Sequence, residues 1–464
     1  MALLFFPRGG SSQVARYLAR FLPGAGWDVT LAAGSLGPPG EASHAGTFFA
    51  RVEDLHAVDY TAGLEMADPL SADPPFQPSF EDRPEAPDRV FAAVDDEAYE
   101  RLVSAWIREL GRAGAAEADA LHLHHLTPMN EAAERAFPDV PRVGHLHGTE
   151  LLMLREIDGG APTGWDHAEA WAERMRRWAR GCERLLVLSP DAARRVPDLL
   201  GVEPGRVVAA ANGFDPDLFK RRPATGSDRT RLWRSWLVEE PRGWDASGRP
   251  GSVAYTAEAL APFADDAPVL LYVGRYTEVK RLPLLIRAHA RARERYGRRV
   301  ALVLLGGYPG EWEGPHPLEV IRDVGAEDVF LAGWRSHEEL PTALNAADVL
   351  VLPSVREQFG QVLVEAMACG LPVIAVNAWG PTTIVEPGRS GWLVEPDDED
   401  DLVEALVAAV RDPERRRSMG ARGEELSQER YGWPALAAGV ARVYEAARGG
   451  EPAAAEPERL TEPD

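Results

Sequence analysis

Two glutamates in the second half of the chain have the spacing and surroundings to bind a ligand rich in hydroxyl groups. Glu357 is predicted to lie in a loop, and Glu365 in the early turns of a helix that starts near Gln361 and ends before Gly370. An ionised carboxylate accepts hydrogen bonds but cannot donate them, so paired hydroxyl groups are its natural partners. We therefore predict that Glu357 binds the hydroxyls of a sugar and that Glu365 binds the vicinal diol of a ribose.

The loop that carries Glu357 has the geometry of a diphosphate site. An apolar strand at 348–352 runs into this loop, and the following helix N-terminus faces the carboxyl end of the predicted sheet, where open α/β sheets bind ligands. Exposed N–H groups at a helix N-terminus favour a diphosphate, and Gly360 permits a close approach of the backbone. A capping carboxylate and an exposed helix residue are the plain alternative, but the surrounding sequence favours ligand binding.

Two cations follow another predicted strand, 269–273. Arg275 and Lys280 lie in the loop after this strand. Cations at the carboxyl end of a strand can neutralise a diphosphate as it leaves. A solvated basic loop would explain this motif if it stood alone, and its pairing with the glutamate motif favours a functional interpretation.

Alternating strands and helices in both halves of the chain provide the scaffold for these residues. This alternation predicts parallel, doubly wound α/β sheets, and 464 residues suggest two large domains. We expect an N-terminal domain at 1–216, a linker or insertion at 217–267 and a C-terminal domain at 268–433. A helix at about 434–448 is expected to pack back on the N-terminal domain, and 449–464 to form a disordered tail. The irregular stretch 62–96 is either a lid or acceptor-binding loop or a disordered segment.

The bulk composition excludes several classes of function. A formal net charge of −23 argues against a nucleic acid partner and weakens the case for a membrane surface. No apolar run is long enough to span a bilayer, and the apolar N-terminus resembles a first strand more than a secretory signal. Two cysteines cannot form a disulfide framework. We therefore expect a cytoplasmic protein.

The motifs together resemble those of a known enzyme family. Gly-Arg-x4-Lys at 274–280, combined with Pro-Ser-x2-Glu-x-Phe-Gly-x4-Glu-Ala-Met-Ala-x-Gly-x-Pro-Val at 353–373, is similar to the retaining glycosyltransferases of family 4, the glycogen-synthase-like or group 1 glycosyltransferases. Three N-terminal features fit as well: Gly9-Gly10 after the first strand, His147-Gly-Thr-Glu, and Asn212-Gly-Phe-Asp. The resemblance covers nearly the whole chain and is most specific in the C-terminal half.

This resemblance implies the GT-B fold, in which two Rossmann-like domains face a cleft. The N-terminal domain would bind the acceptor and the C-terminal domain the nucleotide sugar, a UDP- or GDP-sugar. By the same resemblance, the leaving diphosphate itself takes the acceptor's proton, the sugar is transferred with retention, and no metal or other cofactor is required. Neither the donor sugar nor the acceptor follows from the family motifs, and the oligomeric state does not follow either.

The resemblance also assigns roles to individual residues. His147 would lie beside the reacting sugar, Arg275 and Lys280 would hold the diphosphate, Glu357 the sugar and Glu365 the ribose. The remaining donor-binding residues contribute mainly backbone: Gly9, Gly10 and Gly274 near the phosphates, Phe359, Gly360, Gln361 and Val362 at the sugar and phosphate, and Gly333 and Trp334 at the base. Gln361 and Val362 stand where the family commonly has small or aliphatic residues, and Gly380-Pro381 replaces a frequent Gly-Gly, which puts donor-sugar recognition in question.

Two possible metal motifs are interpreted as structural. His122, His124, His145 and His147 repeat with a period of two, which places each pair on one strand face. No carboxylate or cysteine completes a familiar metal pattern, and neighbouring strands that end at one edge explain the same spacing. Asp215-Pro-Asp217 has the form of the Asp-x-Asp metal motif but lies inside the Asn-Gly-x-Asp segment. We therefore predict no metal site.

Three other functions remain open at the level of the sequence. A sugar-nucleotide epimerase would need acid and base residues at the sugar, and a phosphorylase would need a phosphate or pyridoxal site; neither set is evident. A catalytically silent nucleotide-sugar-binding subunit is disfavoured by the intact set of charged residues. Assays of donor hydrolysis with and without acceptors would separate these possibilities.

Overall fold

The computed structural model describes residues 1–7, 9–82, 87–222, 224–263, 267–450 and 458–460. The chain divides into two compact units, the first made of 1–212 with 433–464 and the second of 213–432. Most of the predicted disordered tail, 451–457 and 461–464, lies outside the described residues.

The first unit is built on a parallel sheet whose strand order, in chain numbering, is 14-7-6-5-4-1-2-3. Most of its central strands are buried along their whole length, as expected where helices cover both faces of a parallel sheet. The strands are β1 Ala2–Leu3, β2 Thr30–Ser35, β3 Asp54–Asp59, β4 Leu121–His124, β5 Arg142–Leu146, β6 Arg184–Val187, β7 Val207–Ala209 and β14 Glu458–Arg459.

Helices follow most of these strands, and two of them begin at a capping side chain. The side chains of Asp95 and Ser189 accept hydrogen bonds from the first turns of the helices that follow them. The helices are α1 Gly10–Phe21, α2 Ala45–Phe48, α3 Asp96–Arg112, α4 Pro128–Ala136, α5 Thr149–Gly160, α6 Ala168–Arg180, α7 Pro190–Leu200 and the C-terminal α16 Trp433–Gly449. Helix α16 belongs to this unit and packs against α1 through Tyr17 and Trp433, whose rings stack 5.6 Å apart.

The irregular stretch 62–96, apart from 83–86 outside the described residues, forms short 3-10 turns packed on the core. Phe76, Phe80 and Phe91 are buried from this stretch. The Gln77 side chain accepts a hydrogen bond of 2.8 Å from the backbone N–H of Phe6, just beyond β1. The described part of this loop is therefore ordered, and it supports the segment that follows the first strand.

The second unit is also a parallel sheet, with strand order 10-9-8-11-12-13. Its strands are β8 Val269–Gly274, β9 Ala301–Gly306, β10 Val329–Gly333, β11 Val349–Leu352, β12 Val373–Val376 and β13 Gly391–Val394. Its helices are α8 Gly226–Arg234, α9 Leu282–Tyr296, α10 Pro317–Val324, α11 Leu340–Asn345, α12 Gln361–Ala368, α13 Pro381–Ile384, α14 Glu399–Arg411 and α15 Pro413–Arg430.

The segment 217–267, expected to be a linker or insertion, lies inside the second unit. It contains α8 and a π-helical turn at Ser235–Glu239. Trp233 and Trp244 are fully buried, and Gly243 lies so close to β10 that a Cβ atom there would be 2.4 Å from the carbonyl oxygen of Leu331. This segment is therefore a packed element of the second unit, where the sequence analysis expected a linker or insertion.

Among the helices of the described residues, we find none with the length and apolar character needed to cross a membrane.

Candidate functional site

The strand order of the second unit reverses between β8 and β11. Strand β8 is followed along the chain by β9 and β10 on one side, and β11, β12 and β13 lie on the other side. Open α/β sheets bind ligands at such a switch point, beyond the carboxyl ends of the strands. Arg275 and Lys280 follow β8, and Glu357 follows β11, so the topology brings both predicted motifs to this point.

Lys280 and Glu357 are in direct contact across the switch point. Lys280 Nζ donates a hydrogen bond of 2.5 Å to Glu357 Oε2, and their side chains are 16% and 17% exposed. Each group therefore neutralises the other while keeping an open side. A ligand with a phosphate group and hydroxyls would compete for both partners of this pair, because phosphate attracts the ammonium and hydroxyls donate to the carboxylate.

The loop after β8 is held by a hydrogen bond from the side chain of Tyr272. The Tyr272 hydroxyl donates a hydrogen bond of 2.6 Å to the backbone carbonyl of Arg275, and burial raises the pKa of this tyrosine well above its ordinary value. Gly306 packs so closely that a Cβ atom there would lie 2.3 Å from the carbonyl oxygen of Gly274. The Arg275 side chain is exposed and forms no ion pair with a carboxylate in the described part of the chain, so it is available to an anion.

Helix α12 begins at a glycine whose backbone is in the left-handed conformation. Gly360 is its N-cap with φ 104°, a conformation that disfavours other residues. Gly380 packs against Phe359, the residue before Gly360. A Cβ atom on Gly380 would be 2.3 Å from the Phe359 carbonyl oxygen. The Phe359 side chain is buried and meets Tyr431 edge-on. At Phe359 and Gly360, only the backbone can therefore face a ligand. Val362, in the first turn of the helix, is half-buried.

Glu365 is a buried carboxylate held by two polar side chains. Its side chain is 2% exposed, its Oε1 lies 2.8 Å from His337 Nε2, and it accepts a hydrogen bond of 3.2 Å from Gln361 Nε2. Gln361 also donates to the carbonyl of Gly213 at 2.5 Å. The side chain of Gln361 thus has a structural role, and any contact with a donor would come from its backbone.

Sequence reasoning missed His337, which holds Glu365 from 28 positions away in the chain. No local pattern around His337 resembles a motif. Only the packing of the segment after β10 against α12 reveals it.

An exposed aromatic pair lies at the carboxyl ends of β9 and β10. Trp334 is 40% exposed and Tyr308 is 56% exposed, with ring centroids 6.3 Å apart. Gly333 has φ 70° and lies against the backbone of Arg242. Aromatic faces of this kind can stack on planar ligands, and Tyr308 was not among the predicted residues.

In the first unit, Gly9, Gly10 and His147 lie beyond the carboxyl ends of neighbouring strands. Gly9 is the N-cap of α1 and Gly10 its first residue; both are exposed. His147 directly follows β5, and β5, β4 and β1 are adjacent in the sheet. The three predicted residues therefore share one edge of this sheet.

His147 is held by its neighbours. Its Nε2 lies 2.9 Å from His124 Nδ1, and its backbone N–H donates a hydrogen bond of 3.0 Å to Glu150 Oε1. Burial lowers the pKa of His147 well below the ordinary value, and the nearby His125 lowers it further. His147 is therefore neutral near pH 7.

The four histidines at this edge lie closer than the sequence interpretation required. Among the described residues, His122, His124 and His145 each offer a ring nitrogen, and these atoms lie within 4.8 Å of one another. The geometry therefore permits a metal ion in a place where the sequence predicted none.

Two sequence profiles match the chain. The profile described as "Glycosyltransferase Family 4" matches residues 8–218, and the profile described as "Glycosyl transferases group 1" matches residues 259–426. The two matches together span most of both units.

Similar proteins carry related names. The D-inositol 3-phosphate glycosyltransferase of Kineococcus radiotolerans is 34% identical over 324 residues, covering 66% of this chain and 66% of that protein. D-inositol 3-phosphate glycosyltransferase 2 of Catenulispora acidiphila is 32% identical over 277 residues, 56% of each. The chain thus spans between 56% and 66% of the length of these relatives.

Solved structures share the fold. Sucrose-phosphate synthase from Thermosynechococcus elongatus has a TM-score of 0.66 at 21% identity, covering 96% of this chain and 94% of that one. HepE from Anabaena in complex with UDP-glucose has a TM-score of 0.64 at 18% identity, covering 96% and 98%. These likenesses, with the two parallel sheets, confirm the predicted GT-B fold class.

Proposed function

The chain belongs to the glycosyltransferases of family 4, also described as group 1, and on this premise we propose that it transfers a sugar from a nucleoside-diphosphate sugar to an acceptor hydroxyl, with retention of configuration. The observation that carries the proposal is the contact between Lys280 and Glu357 at the switch point of the second sheet. The donor would be a UDP- or GDP-sugar, and a structure of the same fold holds UDP-glucose.

In this proposal, different residues of the second unit bind different parts of the donor. Lys280 and Arg275 bind the diphosphate and stabilise its charge as it leaves, and Glu357 releases Lys280 to accept hydroxyls of the sugar. Glu365 binds the ribose, with its orientation set by His337 and Gln361. The diphosphate charge is met by side-chain cations and by N–H groups at the start of α12, so the transfer itself needs no metal ion.

The first unit contributes the acceptor side in this proposal. Gly9 and Gly10 leave open space at the start of α1, and neutral His147 can donate or accept a hydrogen bond at a sugar hydroxyl. Two relatives named for D-inositol 3-phosphate motivate phosphorylated cyclitols as the first acceptors to try. A cytoplasmic location remains part of the proposal.

The decisive experiment compares three variants with the wild-type chain. A thermal-shift screen of UDP-, GDP-, ADP- and TDP-sugars first selects the donor, because a ligand that binds only the folded chain raises its melting temperature. Turnover is then measured for Lys280→Ala, for Glu357→Gln and for the control Arg287→Ala, which removes an exposed cation of α9 that is paired with Glu399. We expect a loss of about 100-fold or more for the first two, the size seen when one electrostatic contact to a transition state is removed.

The control should retain wild-type turnover, and all three variants should keep the wild-type circular dichroism spectrum. Near wild-type rates for both Lys280→Ala and Glu357→Gln would contradict the proposed donor site. The anomeric configuration of the product, followed by NMR, tests retention, and turnover with EDTA or with added Mg²⁺ tests the metal independence of transfer.

A further inference from the structure

Three buried imidazoles form a compact group inside the first unit. His122 and His124 lie on one face of β4, since side chains two positions apart point to the same side of a strand. His145 on β5 pairs in register with His124, and their ring centroids are 5.2 Å apart. All three side chains are at most 2% exposed. The group is therefore part of the interior of the sheet layer, shielded from solvent.

Two nitrogens of this group have no partner. His124 Nε2 and His145 Nε2 are buried and form no hydrogen bond within the described parts of the chain. A buried polar atom left without a partner costs about 1–3 kcal/mol. In the tautomer that carries its proton on Nδ1, each of these atoms has an electron pair that a metal ion can accept.

The opposite nitrogens of His122 and His124 are occupied. His122 Nδ1 contacts the Tyr444 hydroxyl, and His124 Nδ1 lies 2.9 Å from His147 Nε2. In metal sites the second nitrogen of a ligating histidine is bonded in this way, which fixes its tautomer and the orientation of its ring. Tyr444 and His147 are thus placed as the outer partners of a metal site.

The distances within the group suit a metal ion. One ring nitrogen from each histidine lies within 4.8 Å of the others. His122 Nε2 and His145 Nδ1 are 3.1 Å apart and share a hydrogen bond, which binding of an ion through either nitrogen would replace. Ligand nitrogens around a tetrahedral zinc ion are about 3.3 Å apart, given bonds of about 2.0 Å. Each ring binds a metal ion in its neutral form, through a nitrogen that carries no proton.

We propose that His122, His124 and His145 bind one divalent transition-metal ion, of the Zn²⁺ class, inside the first unit. Three imidazoles suit Zn²⁺, Co²⁺ or Ni²⁺ better than Mg²⁺ or Ca²⁺, which prefer oxygen ligands. A fourth position is left for water or a small anion. Glu150 is fully buried, and its Oε2 lies 3.4 Å from Nδ1 of His125, the residue after His124; a carboxylate at this distance lowers the cost of burying a dication. The ion stabilises the first unit and takes no part in the transfer proposed above.

The test begins with the full-length chain without an affinity tag. The protein is produced in medium supplemented with Zn²⁺ and its metal content is measured by mass spectrometry; a second sample is unfolded, stripped with chelator and refolded with Co²⁺. We expect about one ion per chain, the visible absorption bands of tetrahedral Co²⁺, and a higher melting temperature than that of metal-free protein. Less than 0.1 ion per chain in both samples would overturn the proposal and leave the group as a stack of neutral imidazoles.

Two variants and a matched control locate the ion. His124→Gln and His145→Asn should lose stoichiometric metal and the Co²⁺ bands. His289→Gln, which changes a buried histidine of the second unit, should keep both. If the two variants fold and still bind one ion, the assignment of ligands is wrong; if they fail to fold, the metal content and Co²⁺ spectrum of the wild-type chain decide the question. No measurement here depends on transferase activity, so the outcome is independent of the proposed function.

Discussion

At the residue scale, glycines serve the candidate site in two opposite ways. A Cβ atom added to Gly10 would meet nothing within 4 Å, whereas one added to Gly380 would lie 2.3 Å from the Phe359 carbonyl oxygen. The first glycine leaves space open, and the second allows two backbone segments to touch. Glycine is therefore needed for different reasons at Gly10 and at Gly380.

This contrast gives a pair of expected outcomes. Gly10→Ala should fold with an unchanged or slightly higher melting temperature, because alanine favours a helix more than glycine does, yet it should lower turnover if a ligand occupies the open space. Gly380→Ala should instead lower the stability of the second unit by about 1–3 kcal/mol through overpacking. Melting curves and turnover of both variants check this. Full activity in a stable Gly10→Ala variant would remove Gly10 from the site.

The contact between Lys280 and Glu357 also belongs to the residue scale. The sequence placed a cation and a carboxylate in two loops that are 77 positions apart. Their types and motifs could be recognised along the chain, but their contact could not, because it depends on β8 and β11 being neighbours in the sheet.

At the element scale, segment 217–267, expected to be a linker or insertion, supports the loops of the candidate site. Trp244 Nε1 donates a hydrogen bond of 3.0 Å to the carbonyl of Gly307, and its ring stacks on Tyr276 at 5.4 Å. Gly307 in turn donates its N–H to the carbonyl of Gly274. The segment thus positions the loops after β8 and β9, where the candidate site lies.

Trp244→Phe tests this role. The substitution keeps an aromatic ring but leaves the Gly307 carbonyl without its buried donor, so we expect a loss of about 1–3 kcal/mol in unfolding free energy and a higher KM for the donor with a smaller change in kcat. Trp233→Phe is the matched control: Trp233 is equally buried in the same segment, and its Nε1 has no hydrogen-bond partner in the part of the chain that is described. Equal KM values for the two variants would contradict the positioning role.

Several elements escaped the sequence interpretation for identifiable reasons. Strand β3 at the sheet edge has a single fully buried residue and carries aspartates at both ends, so it lacks the continuous apolar run of a central strand. Strand β13 is also an edge strand and begins at a glycine. The central strands, by contrast, were recognised because burial on both faces requires a continuous apolar run.

At the scale of the whole molecule, stability should depend on pH through buried histidines. Burial lowers the pKa of His289 from 6.5 to about 4, and Nδ1 of this histidine lies 3.2 Å from the Tyr296 hydroxyl. Below pH 6.5 His289 is protonated in the unfolded chain, whereas in the folded chain it stays neutral until the pH reaches about 4. The contribution of neutral, buried His289 to the free energy of unfolding is therefore complete above pH 6.5 and is lost as the pH falls towards 4.

The expected size of this effect is about 1.4 kcal/mol for each pH unit in that window. Urea unfolding of the wild-type chain and of His289→Gln, followed at pH values from 7 to 4 by a signal of the second unit, measures it. The variant should lose less stability on acidification than the wild-type chain, by up to about 3 kcal/mol. Parallel curves for the two proteins would show that His289 has no such role.

The sequence by itself determined the fold class, the family and the residue types of the donor motifs, because strand–helix alternation and short motifs are local properties of the chain. Tertiary structure alone decided which of these residues meet. It placed Lys280 against Glu357, His337 against Glu365 and three histidines around one point. The physical reason is the order of strands in each sheet: β8 lies beside β11, and β4 beside β5, so distant loops share an edge. Contacts between residues far apart in sequence follow from the strand order and from packing. Neither the strand order nor the packing can be predicted from the local sequence pattern.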